Sequence, residues 1–109
     1  MTIDELKKKM LKKTSLKTQT VEIDGCELVV QELSGPERVM LTEQAQNNDG
    51  GMEARYKMYI AFGCPSLSLT EDEFHQLFEM NYSFIEDIVG AIFEVSGMTK
   101  RAKEQTEKN

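Results

Sequence analysis

His75 is the only histidine of the chain, and its side chain is the one best suited to acid–base chemistry near neutral pH. On a helix it would have three carboxylates at spacings of three or four residues, those of Glu71, Asp72 and Glu79. One interpretation is a general base oriented by a carboxylate. The other, which we favour, is a solvated histidine on the polar side of a helix, because the apolar side of that helix begins at Phe74.

Cys26 and Cys64 could form a disulfide, or could bind a metal together with His75. Metal ligands usually occur in paired spacings such as C-x-x-C or H-x-x-x-H, and the sequence contains neither. Segment 1–5 has neither the basic start nor the apolar stretch of a signal peptide, so we expect a cytoplasmic protein with reduced thiols. We therefore predict that both cysteines are small, buried apolar residues.

The acidic run Glu71-Asp72-Glu73 could suggest a pair of catalytic carboxylates. Acidic residues in the first turn of a helix are also favoured by the helix dipole and by capping, which is a sufficient structural cause. Gly50-Gly51 is not followed by the Gly-Lys-Ser or Gly-Lys-Thr of a phosphate-binding loop, and no G-x-G-x-x-G occurs. We predict a protein that is not an enzyme and that needs no metal or cofactor.

Charge is distributed unevenly along the chain. Residues 1–20 hold six lysines against two acidic residues, a net charge of +4. Residues 21–97 hold fifteen acidic residues against three basic ones, a net charge of −12, and residues 98–109 carry +2. An acidic body repels phosphate backbones, so nucleic-acid binding would depend on the first segment alone. A solvated helix face or a flexible arm is the favoured interpretation of its lysines.

The pattern of apolar residues and turn formers predicts a mainly helical α+β protein. A basic segment, 1–17, begins with an amphipathic helix, and Asp24-Gly25 between two β-prone runs predicts a β-hairpin with a tight primed turn. Four helices follow, so we expect a small bundle packed with the hairpin in one globular domain, 18–97. The predicted bounds are 3–13 for the first helix, about 19–33 for the hairpin, and about 36–46, 52–62, 71–81 and 84–96 for the later helices.

Particular residues mark the helix ends. A serine or threonine followed three residues later by glutamate is typical of a capping box. The candidate pairs are Ser34 with Glu37, Thr70 with Glu73, and Ser83 with Glu86. The turn formers at 47–51 predict a mobile loop, and the polar residues 98–109 predict a disordered tail.

The last helix is apolar over about half of its circumference, whereas a surface helix needs only an arc of roughly 100°. It is therefore either the centre of the domain or half of an interface. We predict a protein-binding surface on this helix and on the open edge of the hairpin. Its residues are Phe84, Ile85, Ile88, Val89, Ile92, Phe93 and Val29. The seven methionines are either core filler or part of such an adaptable surface.

Several stretches, in this order, resemble the tail assembly chaperones of long-tailed bacteriophages or prophages. They are Val21-Glu22-Ile23-Asp24-Gly25, 29–38, Ala61-Phe62-Gly63-Cys64-Pro65, 69–74 and Ile92-Phe93-Glu94-Val95-Ser96-Gly97. Together they cover about residues 20 to 97. The link Cys64-Pro65-Ser66 is shorter than the loop that the family usually has between its third and fourth helices.

This resemblance implies a non-catalytic protein that binds the tape measure protein and helps tail tube protein to polymerise around it. Such a protein acts in the host bacterial cytoplasm and is typically absent from the finished virion. A homo-oligomer is a further possibility, whereas binding to membranes is not expected. The alternative function is that of a small structural or completion protein of the phage virion.

Overall fold

A computed structural model of the 109-residue chain describes residues 1–12, 15–47 and 50–98. The mainly helical α+β fold is confirmed, and the predicted bounds agree with it to within two residues. The elements are α1 (Ile3–Lys12), β1 (Thr18–Ile23), β2 (Cys26–Gln31), α2 (Gly35–Asn47), α3 (Gly51–Gly63), a 3₁₀ turn (Pro65–Leu67), α4 (Glu71–Met80) and α5 (Tyr82–Val95). The central residues of the predicted loop at 47–51, and the tail after Met98, lie outside the described residues.

The hairpin forms as the Asp-Gly turn predicts. Asp24 and Gly25 have φ angles of 50° and 81°, the left-handed pair that a primed turn needs. The strands pair antiparallel with Ile23 opposite Cys26, which places alternate side chains on the inner face. On that face Val30 is fully buried against the helices, whereas Val29 points outward and is half exposed.

Two of the three predicted capping boxes are present. The backbone N–H of Glu37 donates to Ser34 Oγ at 3.3 Å, and Ser34 N–H donates to Glu37 Oε1 at 2.8 Å. The Thr70 and Glu73 pair is joined in the same way. The third prediction is wrong, because α5 begins at Tyr82 rather than after Ser83, and its N-cap makes no side-chain hydrogen bond.

Helix α5 is the centre of the domain. It packs against α3, α4 and both strands, and the buried part of its surface belongs to the hydrophobic core. Gly63 at the end of α3 allows close approach, since a Cβ built there would lie 2.6 Å from side-chain atoms of Ile92. The carboxyl end of α5 is also tied to the segment that follows the hairpin, because Leu33 N–H donates to the buried Ser96 Oγ at 3.0 Å.

Helix α5 ends in a Schellman motif. Gly97 has φ of 71°, and its N–H donates to the carbonyl of Glu94 at 3.1 Å. The N–H of Met98 reaches back to the carbonyl of Phe93 at 2.9 Å. Gly97 therefore ends the last helix, and the motif fixes the position of Met98 against the body.

Helix α1 stands apart from the rest of the protein. None of its residues is buried, and it packs against no other helix or strand that the structure describes. Its N-terminus is capped, since Glu5 N–H donates to Thr2 Oγ1 at 3.2 Å. Across residues 1–12, 15–47 and 50–98, no helix has both the length and the apolar character needed to cross a membrane.

Candidate protein-binding surfaces

The structure buries most of the binding surface predicted on α5. Ile85, Ile88, Val89 and Ile92 are between 0 and 5% exposed and form the hydrophobic core with the hairpin and α3. This corrects the expectation that they contact a partner, because a fully packed side chain offers no area to a second protein. The broad apolar arc of α5 therefore reflects its central position, surrounded by four other elements.

The remaining predicted residues differ in exposure and lie apart from one another. Phe93 is partly buried, packs on the core and makes an edge-to-face contact with Tyr59, at 4.8 Å between ring centroids. Phe84 is partly exposed at the start of α5. Val29 is 50% exposed on the outer face of β2. No contact that the structure describes joins these three residues into one continuous surface.

His75 joins two helices. Its Nδ1 lies 2.7 Å from Glu53 Oε1 on α3, and its Nε2 lies 3.7 Å from Glu79 Oε1 on its own helix. The hydrogen bond and charge of Glu53 raise the pKa of His75, with smaller contributions from Glu79 and Asp72. The side chain is 60% exposed, and its geometry is that of a surface ion pair. Sequence reasoning found Glu79 and missed Glu53, which lies 22 residues earlier in the chain.

The two cysteines differ in burial. Cys64 is buried, as predicted, whereas Cys26 is exposed beside the hairpin turn, so that prediction is wrong for Cys26.

Glu71 pairs with Lys57 at 2.7 Å, an interaction that lowers the pKa of Glu71. Glu73 caps α4, and the bonds from Thr70 lower its pKa. Within the described residues, no three His, Cys, Asp or Glu side chains are placed to hold a metal ion.

A groove of about 480 Å³ lies between α2, α3 and the end of the described chain; we call it the α2–α3 groove. Its walls combine apolar side chains with two of the three basic residues of the acidic body. The residues that matter here are Arg38, Leu41, Ala45, Arg55, Tyr59 and Met98. Such an arrangement accepts an apolar segment that also carries negative charge.

Arg55 is the unusual residue of this groove. Its Nε is buried, and it has no hydrogen-bond partner in the structure. The other basic residues of the body are engaged: Arg38 donates to the carbonyls of Leu33 and Ser96, and Lys57 pairs with Glu71. A buried guanidinium nitrogen without an acceptor is costly, which makes Arg55 a natural site for an incoming carboxylate. In the sequence, only the rarity of basic residues between 21 and 97 could have drawn attention to Arg55.

The phenol of Tyr59 forms part of the same groove. Partial burial raises the pKa of Tyr59, while the positive charge of Arg55 acts in the opposite direction. Tyr59 is therefore a neutral hydroxyl at physiological pH, because its ordinary pKa is already 10.0. It offers a ring for apolar contact and a hydroxyl group for hydrogen bonding.

Two further surfaces expose large apolar side chains. On α1, Ile3, Leu6 and Met10 form a stripe in which the residues are 84, 45 and 67% exposed. At the corner where α4 meets α5, Met80 and Tyr82 lie close in sequence, and Tyr82 OH contacts the sulfur of Met52 from α3 at 3.9 Å. Exposed apolar groups of this kind are typical of protein-binding surfaces.

Comparison with protein-family models, curated proteins and solved structures finds no match for this chain.

Proposed function

We propose that this protein is a non-catalytic binding protein whose α2–α3 groove takes an amphipathic segment of a partner protein. In the terms of the family it resembles, it is a phage tail assembly chaperone of the bacterial cytoplasm. Its client is the tape measure protein, and its role is to promote assembly of tail tube protein around that client. The observation that supports the proposal is the unpartnered, buried Nε of Arg55 in a groove with both apolar and polar walls.

The chemistry of the groove matches such a client. An extended helical protein exposes stripes of apolar residues that must be covered until assembly. Ala45, Tyr59 and Met98 are partly exposed and supply apolar contact, and Arg55 supplies a fork of donors for a carboxylate on the client. The net charge of −12 on residues 21–97 keeps a complex of this kind soluble.

The groove also gives a reason for an arginine whose Nε is buried without a hydrogen-bond partner. Removing a charged group that lacks compensation stabilises a fold or leaves its stability unchanged. A residue that brings no benefit to folding is expected to serve binding instead. Arg55 should therefore contribute to affinity for the client and contribute little to the free energy of unfolding.

The test is co-expression of the full chain with the tape measure protein encoded in the same phage or prophage genome. The expected result is soluble tape measure protein that co-purifies with the chain. Arg55→Met should stay folded and lose at least half of this co-purification. Lys57→Met is the matched control, because it removes one positive charge from the same helix without touching the groove.

Equal co-purification by wild type and Arg55→Met, with both proteins folded, would exclude the groove as the client site. Failure of the wild-type chain to bind or solubilise the tape measure protein would overturn the chaperone function itself. Recovery of the chain from purified virions would instead support the alternative of a structural or completion protein.

A further inference from the structure

The helix α1 carries a narrow apolar stripe between lysines. Ile3, Leu6 and Met10 follow one another at spacings of three and four residues, which places them within an arc of roughly 60° on an α-helix. Lys7 and Lys9 flank the two sides of this stripe. Four lysines against two acidic residues give the helix a net charge of +2. A stripe of this width is typical of helices that pack along another protein element.

The corner between α3, α4 and α5 carries the complementary surface, which we call the Met–Tyr patch. It consists of Met52, Met80 and Tyr82; the two methionines are 55 and 76% exposed. Tyr82 is held in place by ring contacts, at 5.3 Å from Phe78 and 6.0 Å from Tyr56 between centroids.

Acidic residues surround the Met–Tyr patch. Glu53 follows Met52, and Glu79 precedes Met80 in the sequence. Glu86 lies one helical turn after Tyr82, close enough for its charge to raise the pKa of the phenol. Hydrogen bonding with Tyr56 is the larger cause, and together these effects raise the pKa of Tyr82 to about 12. The patch is therefore apolar at its centre, and its rim is negative because three carboxylates outnumber His75, which pairs with Glu53 and Glu79.

We infer that the protein self-associates by docking helix α1 of one copy on the Met–Tyr patch of a second copy. The apolar stripe and the apolar centre of the patch cover one another, while Lys7 and Lys9 face the acidic rim. The two surfaces carry opposite charges. Helix α1 is therefore attracted to the Met–Tyr patch, whereas two copies of α1, or two patches, repel each other. In the structure α1 packs on no described element of its own body, so it is free to reach a neighbour.

A membrane surface is the competing occupant for a basic amphipathic helix. Helices that lie in the membrane interface have broad, uninterrupted apolar faces, whereas on α1 Lys7 lies between Ile3 and the exposed Leu11, about 40° from each. The chain supplies an acidic, methionine-lined partner of its own, and methionine adapts its shape to a docked helix. These observations favour the second copy.

The assembly that follows is heterologous, because different surfaces meet. Mutual exchange of α1 between two copies closes a dimer, and one-way docking builds a ring or an open chain. Each arm buries only a few apolar side chains, so association should be weak and should weaken further at high salt.

The first test is sedimentation velocity of the full chain over a concentration series at low and high salt. We expect reversible association that weakens with salt. Leu6→Asp should raise the apparent dissociation constant at least about tenfold without changing the thermal midpoint, because Leu6 packs on no other helix or strand that the structure describes. A wild-type chain that stays monomeric throughout, or association that survives Leu6→Asp, would overturn the inference.

The second test reverses charge on each surface separately. Lys7→Glu with Lys9→Glu, and Glu79→Lys with Glu86→Lys, should each lose self-association, and a mixture of the two variants should associate again. Glu43→Lys with Glu94→Lys is the matched control, since it reverses two exposed acidic residues away from the patch and should leave association unchanged. No association in the mixture would reject the Met–Tyr patch as the docking site.

A third measurement separates the two occupants. Vesicles with and without anionic lipid are added to the wild-type chain, and bound protein is measured by co-sedimentation. Binding that depends on Leu6 and on anionic lipid, with no self-association in solution, would assign α1 to a membrane surface and overturn the inference. Because none of these variants lies in the α2–α3 groove, the outcome is independent of client binding.

Discussion

The imidazole of His75 on α4 and the carboxylate of Glu53 on α3 are joined at 2.7 Å, across 22 residues of sequence. The hydrogen bond and the charge of Glu53 raise the pKa of the imidazole above its ordinary value of 6.5. The pair couples the protonation state of one exposed side chain to the packing of two helices.

Stability should therefore depend on pH through His75. A raised pKa in the folded state means that protonation favours folding: the contribution is fully present below the unfolded pKa of 6.5 and is lost as pH rises through the folded value. Glu53→Gln should return the His75 pKa towards 6.5 and remove this dependence. NMR titration of the imidazole protons, with urea unfolding at both ends of the range, measures the two effects. An unchanged pKa in Glu53→Gln would contradict the assignment.

Ser96→Ala should destabilise the fold by about 1–3 kcal/mol, because the buried N–H of Leu33 loses its acceptor. Ser83→Ala is the matched control, since Ser83 is exposed near the start of α5. Urea unfolding should show a lower midpoint for Ser96→Ala and little change for the control. Equal midpoints would show that water replaces the lost hydrogen bond.

Two glycines should respond to alanine in opposite directions. Gly63→Ala places a methyl group 2.6 Å from the fully buried Ile92, so repacking should cost about 1–3 kcal/mol. Gly90 lies within α5 and has open space where a Cβ would stand, so Gly90→Ala should stabilise the helix by about 0.5–1 kcal/mol. Thermal unfolding of the two variants beside wild type checks both signs.

Thr70→Ala should cost about 1 kcal/mol through loss of the N-cap of α4. Thr42→Ala removes a hydroxyl from an exposed position within α2, where alanine is the better helix former, and should be neutral or slightly stabilising. Urea midpoints of both variants give the comparison. A loss as large in Thr42→Ala would mean that the effect does not arise from capping.

Local patterns predicted the elements of this fold well, because their causes lie within a few residues. The Asp24-Gly25 turn and the Thr70 capping box are both of this kind. The start of α5 was misplaced since Tyr82, which packs against Phe78 and Tyr56, belongs to the helix before the expected serine cap. That contact depends on the arrangement of α3 and α4, which no local pattern encodes.

The candidate surfaces were predicted less well, for a physical reason. An apolar arc on α5 has the same sequence whether a partner or the protein's own core covers it, and here the core covers Ile88 and its neighbours. Val29 is half exposed on the outer face of the hairpin, and its role in binding stays a prediction. The environment of Arg55 depends on residues from α2 and the end of α5, so its missing acceptor is visible only in three dimensions.

The Schellman motif at the end of α5 has a consequence for the α2–α3 groove. Its hydrogen bonds hold Met98 in the wall of the groove before any partner arrives. This part of the binding surface is therefore preorganised, and a docking segment does not bear the entropy cost of ordering it.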